Sequence, residues 1–291
     1  MKPGAQDGID ARQHCLTSGI VGIGWQVEYE TDDLTADFYE KKAIERYYKE
    51  GDKSWWPAWN ALYNKCSIDD LIWTRDWDGI YYIGRITSDW YYDTSKEASK
   101  ADIVNVKKCD WKKVGTIESV PGKLVNCFIP PRTIQQVNDE TVKLFSQLVY
   151  NEKSLIPYYT HQPLIGQNLY SLLSSDDCED ALALYLQLIH NYMLVPSSCK
   201  SDTMAYEYEL IHRYTKEKAV VQVKNGHVDL DVDFYGNIEG TVFLFTTKGK
   251  YHGEPKENIK LIDPILILNF LYDNVDLLPN KMRVWVKLTR S

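Results

Sequence analysis

Gln222 and Lys224 stand one spacer apart in AVVQVKNG, residues 219–226. Lysine is seldom buried without a partner. The alternation of a strand turns these two polar side chains to one face of an otherwise valine-rich segment. An amide oxygen and an ammonium on one face suit phosphate chemistry once a carboxylate joins them. Hard oxygens hold magnesium, the bound cation polarises a phosphate and activates water, and a lysine offsets developing charge. The carboxylates within reach are Glu207 and Glu209 in AYEYELIHR and Asp202 in SSCKSDTMAY.

Positioning these groups requires a hairpin. Turning AYEYELIHRYTKEKAVVQVKNG at Thr215 and Lys216 sets Arg213 against Lys218, Ile211 against Val220 and Leu210 against Val221. Glu209 then falls opposite Gln222, and Glu207 opposite Lys224. Apolar residues pair with apolar residues in this register, which supports it. Upstream lies an amphipathic helix over 175–192, SDDCEDALALYLQLIHNY, which carries Glu179 in its first turns. MLVPSS and GTVFLFTTKG read as further strands. DPILILNFLYDN begins with Asp263 as N-cap and Pro264 at the first helical position. The acidic run HVDLDVDFYGN, 227–237, alternates acids with apolar residues and reads as a solvated strand face, with a site for a second cation as the alternative.

An acid on one strand followed by glutamine, a spacer and lysine on the next is the layout of the PD-(D/E)xK nucleases. With the helix glutamate, the intervening strand and the Gln-x-Lys hairpin, roughly residues 165–275 resemble the Mrr-type restriction endonuclease domain. That resemblance implies a restriction-endonuclease-like α/β domain using Mg2+ or Mn2+. It assigns catalytic roles to Glu179, Glu207, Gln222 and Lys224, with Glu207 and Gln222 on the metal. The family usually has aspartate after a Gly-rich turn where this chain has Glu207 and SSCKSDTMAY, so Glu209 and Asp202 stand as reserve acids.

The first half has a different pattern. GIVGIGWQV (19–27), DLIWTRD, GIYYIGRITSDWYY, ADIVNVKKCDWKKVG and GKLVNCFI (122–129) read as strands, with helices over 37–51, in WWPAWNALYNKC and over 139–153. Aromatics reach 13 % of the chain, through 21 tyrosines and nine tryptophans, and provide either a dense core or flat surfaces for stacking. Trp25, Trp73 and Trp90 are the candidates for a base-binding pocket. Gly22 and Gly24 beside Trp25 would let the backbone approach a planar ligand. Lys107, Lys108, Lys112, Lys113 and Arg132 are the candidate phosphate contacts. The run NALYNKCSIDDLIWTRDWDGIYYIGRITSDWYY with DIVNVKKCDWKKVG makes roughly residues 18–150 similar to the PUA-like superfamily, nearest its EVE and YTH branch. That similarity implies a small β-barrel that reads a modified or flipped base.

The expected organisation is α+β: a PUA-like β-barrel domain over 1–153, a linker over 154–168 with two prolines and a glycine, and the nuclease-like domain over 169–291. Net charge of −8 excludes a surface coated with nucleic-acid-binding lysines but not a local groove. The six scattered cysteines lack zinc spacing and read as reduced thiols. No apolar leader or membrane span is evident, so a cytoplasmic protein without membrane partners is expected. The combined expectation is a Mg-dependent restriction-type endonuclease for modified, phage-derived DNA, with two copies needed to cut both strands. A catalytically inactive reader of modified DNA or RNA, and an RNA-cleaving enzyme or toxin, are the alternatives.

Overall fold

The structure, a computed structural model, describes residues 9–30, 34–48, 51–52, 54–129, 132–162, 164–200, 206–254 and 256–290. It is α+β and divides into two compact units, 1–161 and 162–291.

The first unit contains α1 (Ala11–Ser18), β1 (Ile20–Ile23), α2 (Ala36–Ala43), α3 (Trp55–Asn60), β2 (Leu71–Arg75), β3 (Tyr81–Ile86), β4 (Tyr91–Tyr92), α4 (Lys96–Ala101), β5 (Asn105–Gly115), α5 (Gly122–Asn126) and α6 (Glu140–Lys153). Single π-helical turns extend α2 and α3. The strands form an antiparallel sheet in the order β1-β5-β3-β2, with β4 also on β5. Among the described residues β1 and β2, at the two ends of this order, do not pair with each other, so strand hydrogen bonds do not close the sheet into a barrel.

Most of the aromatic excess is core. Tyr39, Trp55 and Trp59 are fully buried, and Trp90 and Trp25 pack against their cluster. Buried rings keep their polar atoms satisfied: Trp55 Nε1 donates to Tyr39 Oη at 3.1 Å, and Tyr39 Oη donates to the Trp25 carbonyl at 3.0 Å. GKLVNCFI is not a strand. Pro121 starts a helical turn whose carbonyl accepts from Leu124 and Val125, and Leu124 is the residue that this short helix, α5, buries. The glycines beside Trp25 are required by the fold itself. A Cβ on Gly22 would lie 2.7 Å from the Asn105 carbonyl and 2.6 Å from Val106 Cγ1, and one on Gly24 would meet Asp102 at 2.5 Å.

The second unit contains α7 (Ser175–Ile189), β6 (Tyr192–Leu194), β7 (Tyr208–His212), β8 (Lys218–Lys224), β9 (Leu230–Asp231), α8 (Val232–Tyr235), β10 (Thr241–Thr246), β11 (Tyr251–His252), β12 (Ile259–Ile262), α9 (Pro264–Asp273) and α10 (Asn280–Thr289). Its main sheet runs β12-β10-β8-β7-β6. β8, β10 and β12 are parallel, and β7 and β6 are antiparallel additions. A strand hydrogen-bonded on both edges and covered on both faces reads as a continuous apolar run. β8 and β10 do so, with Ala219–Val223 and Thr241–Thr246 all buried.

Local signals account for the helices. Ser174 and Asp177 form a reciprocal capping box at the start of α7. Asp263 caps α9, with Pro264 at its first turn. The acidic run is not one solvated strand. It is the two-residue β9 followed by α8, because Leu230, Val232 and Tyr235 all turn into a hydrophobic cluster. Lys281 stands deep between α10 and α7, 3.0 Å from Asp177 and 3.0 Å from Asp180.

Gly22→Ala should destabilise the first unit by about 1–3 kcal/mol, the usual cost of overpacking, because the Asn105 carbonyl cannot yield as a side chain would. Thermal unfolding of the variant checks this. A melting temperature equal to that of the parent would contradict the close approach of β1 to β5.

Candidate functional site

The expected hairpin forms, but with a different register. The N–H of His212 donates to the Glu217 carbonyl at 2.8 Å, and the N–H of Lys216 donates to the His212 carbonyl at 3.0 Å. Residues 213–216 therefore make the loop, and Lys216 takes the left-handed conformation (φ 64°). A two-residue turn at Thr215 and Lys216 does not occur. Ile211 pairs with Lys218, Leu210 with Ala219, and Glu209 with Val220 instead of Gln222. The slip is by an even number of residues, so every side chain keeps its face. The N–H of Glu207 donates to the Val221 carbonyl at 2.8 Å, which sets this residue beside Gln222.

This placement brings three of the sequence candidates together. Gln222 Nε2 donates to Glu207 Oε1 at 2.6 Å, and Lys224 Nζ donates to the same oxygen at 3.2 Å. Gln222 is almost wholly buried, whereas the side chains of Glu207 and Lys224 are 28 % and 40 % exposed. One side of the site is therefore interior and the other reaches solvent. The end of β8 is fixed by Asn225. Its Nδ2 donates to the Leu173 carbonyl (2.8 Å), and its Oδ1 accepts from Thr247 Oγ1 (2.8 Å).

Glu179 approaches the cluster from α7. Burial is the largest cause that pushes its carboxyl up to about 7. The charges of Glu207, Asp176 and Asp180 add to the rise, and Lys224 opposes it. A carboxyl poised near neutrality beside a second carboxylate and a lysine can hold or release a proton under ordinary conditions.

The reserve acids stand elsewhere. Glu209 Oε1 accepts from Tyr206 Oη at 2.9 Å, and the Glu209 N–H donates to Ser198 Oγ at 2.8 Å. Asp202 lies outside the described residues. Gln222 differs from expectation in one respect. Its amide presents N–H to Glu207 and not oxygen, because two oxygens at 2.6 Å with nothing between them would repel. A half-turn of the amide exchanges the two atoms and would give a cation one carboxylate and one amide oxygen. Among the described residues no three His, Cys, Asp or Glu side chains gather into a ready-made metal set. A hard cation here would depend on Glu207, Gln222, water and the phosphate of a substrate, a pattern ordinary for magnesium.

The candidates in the first unit do not form one surface. Trp25 is half-buried and donates from Nε1 to Asp52 Oδ2 at 2.9 Å. Trp90 is half-buried against Tyr39, Trp59 and Tyr63. Trp73 belongs to a different cluster, with Tyr81, Val120 and Leu124, and its Nε1 donates to Ser146 Oγ at 3.0 Å. It does not share a pocket with the other two.

The lysines divide by strand alternation on β5. Lys107 turns inward and is 4 % exposed, with Nζ donating to the Cys66 carbonyl at 2.5 Å, so it is no surface phosphate contact. Lys108 and Lys112 are on the opposite face from Lys107 and Lys113. Lys112 is paired with Asp110 at 2.8 Å, while Lys108, Lys113 and Arg132 are exposed. A single basic patch is therefore absent from β5. Tyr63, Asn64 and Asp89, which lie within the run that carries the PUA-like similarity but were not singled out as candidates, line an open cleft of about 590 Å3 with Trp90 and Lys107.

Residues 1–137 are similar to a family described as a domain of unknown function, DUF8426. No curated protein and no solved structure matches the chain. The similarity lies within the first unit, and the Glu207–Gln222–Lys224 cluster falls outside it.

Two outcomes follow from this geometry. A half-exposed ion pair contributes about 0–1 kcal/mol, so Lys224→Ala should leave the melting temperature within a few degrees of the parent. A collapse of the fold would show that the lysine is structural. Glu179 binds its proton more tightly in the folded chain than in the unfolded one, so its contribution to stability is present below about pH 4.5 and is lost as pH rises through about 7. Glu179→Gln should therefore raise stability at pH 8.5 and leave it nearly unchanged at pH 4. Urea unfolding of both proteins at the two pH values measures this, and an equal effect at both would contradict the raised carboxyl.

Proposed function

We propose that the chain is a Mg-dependent endonuclease of restriction type, acting on DNA that carries a modified base, in which the second unit cuts and the first unit reads. The observation that supports cutting is the convergence of Gln222 Nε2 and Lys224 Nζ on Glu207 Oε1, with the raised carboxyl of Glu179 within their electrostatic reach. The order α7, β6, then the β7–β8 hairpin follows the helix, strand and hairpin on which the Mrr-type PD-(D/E)xK resemblance rests. Reading is supported by the half-buried Trp90 at an open cleft and by the PUA-like, EVE/YTH-like pattern of the first half.

Mg2+ or Mn2+, when bound, would supply Lewis-acid polarisation of the scissile phosphate and a more acidic water. Glu207 and Gln222 are the side chains to hold it. Lys224 Nζ, 3.2 Å from Glu207, keeps positive charge where phosphate oxygens would gain negative charge. Glu179, ionising near neutrality, can accept a proton at its carboxylate. Because this carboxyl must lose its proton to act as a base, cleavage should rise between about pH 6 and pH 8. The biological setting of such an activity is defence against foreign or phage DNA inside the cell. Cutting both strands calls for two copies of the site, hence a homodimer on the substrate.

A second reading rests on the Gln222 amide. If its N–H stays on Glu207 in the presence of magnesium, no oxygen pair is offered to a cation, and the protein is a binding module for modified DNA or RNA. An RNA-cleaving enzyme or toxin differs only in substrate.

The test is incubation with magnesium and matched modified and unmodified DNA and RNA. Cleavage of modified DNA is expected, with Lys224→Ala at least 100-fold slower and Glu207→Gln more damaged than Glu209→Gln. Binding without cleavage under all metals would support the reader. Cleavage by Lys224→Ala at the parent rate would remove the assignment of this site.

A further inference from the structure

The cleft in the first unit holds a feature that the base-reading pattern does not require. Thr35, Tyr63, Asn64, Asp89, Trp90 and Lys107 line it. Tyr63 stacks on Trp59 with centroids 4.7 Å apart and planes 5° apart, and Trp90 stands edge-on to both rings. Trp90 is itself held, with Nε1 donating to Asn105 Oδ1 at 3.3 Å. Two of the lining side chains, Tyr63 and Trp90, are therefore flat rings already packed against other rings.

At the inner end is Lys107, 4 % exposed. Its Nζ donates to the Cys66 carbonyl and forms no ion pair with a carboxylate among the described residues. A buried ammonium commonly has an anionic partner, and one backbone carbonyl uses only one of its three donors. Thr35 and Ala36, also on the lining, open α2, so the positive end of that helix faces the same space. The single acid on the lining, Asp89, is exposed at the rim. Positive charge inside and the rings of Tyr63 and Trp90 select for a flat ring with an anionic group at its leading edge, while Asp89 opposes that anion at the mouth.

We infer that this cleft binds a planar nucleobase bearing an anionic oxygen substituent, a carboxylate in the simplest case, with the substituent on Lys107 Nζ and the ring against Trp90 and Tyr63. The inference rests on the reading of the first unit as a base reader and names the chemical class of the base. Bases whose leading edge carries only amino groups are disfavoured, because lysine is a donor without an acceptor. A bare methyl group would leave the ammonium unanswered.

The full chain is titrated, in EDTA, with single-stranded oligonucleotides identical except for one cytosine, 5-methylcytosine or 5-carboxycytosine. The expected result is at least tenfold tighter binding of the carboxylated strand. Lys107→Met, close to lysine in volume, should abolish that preference. If Lys107→Met fails to fold, Asp89→Asn serves instead: this exposed change removes the like charge at the mouth and should tighten carboxycytosine binding severalfold more than it tightens cytosine binding. Preference for methylcytosine over both others would overturn the inference and leave the base-reading function standing. Equal affinity for all three strands would overturn the inference and leave the reading of some other modified base to be tested with its own strands. An undiminished carboxylate preference in folded Lys107→Met, or no gain in Asp89→Asn, would also overturn it.

Discussion

Gln222 is an amide on a strand hydrogen-bonded along both edges, and it is almost wholly buried. A buried amide left without partners costs about 1–3 kcal/mol, so its hydrogens must find acceptors inside the unit. They reach Glu207 Oε1 and, more distantly, the Val223 carbonyl. This need ties the segment before β7 to the centre of the sheet and holds the carboxylate where Lys224 can also reach it. The neighbouring parallel strand β10 seals the other edge of β8, and Thr247 and Asn225 fix where β8 ends. The site is thus a by-product of satisfying one interior polar group at the point where the sheet meets solvent.

The distribution of burial separates the roles within that cluster. Gln222 is interior, and its pairing belongs to the architecture. Lys224 is substantially exposed, and its ion pair adds little to stability. Lys224, 3.2 Å from the Glu207 carboxylate, is therefore a side chain that the fold does not depend on. Glu179 extends the contrast. Its ionised form is disfavoured by burial and by nearby acids, an arrangement that lowers stability near neutral pH. Perturbed carboxyls of this kind mark functional sites more often than structural ones.

The first unit solves a similar problem with aromatics. Tyr39, Trp55 and Trp59 fill its core, and each polar atom on those rings has a partner. Trp90 and Tyr63 continue the same ring packing outward to the cleft. Lys107 reaches the cleft for a reason of strand geometry. On β5 it shares a face with buried Asn105 and Cys109, while Lys108 points away. Two adjacent lysines that look alike in sequence therefore have opposite environments.

Amino-acid order by itself determined much of this protein. The uncharged runs AVVQV and TVFLFT specified β8 and β10, because a strand buried on both faces tolerates them. Ser174 with Asp177, and Asp263 with Pro264, specified where α7 and α9 begin, because capping is local chemistry. The shared face of Gln222 and Lys224 followed from the period of two. Tertiary structure alone decided the rest. The loop at 213–216 and its left-handed Lys216 moved the register, which a hydrophobic pattern cannot distinguish when the shift is even. GKLVNCFI became a helical turn that buries Leu124 and packs Val125 and Phe128 against the same cluster. Trp73 separated from Trp90, and Lys107 from Lys108, because burial is a property of neighbours distant in the chain. Composition could count the rings and charges, but only packing assigned each one to core, cleft or surface.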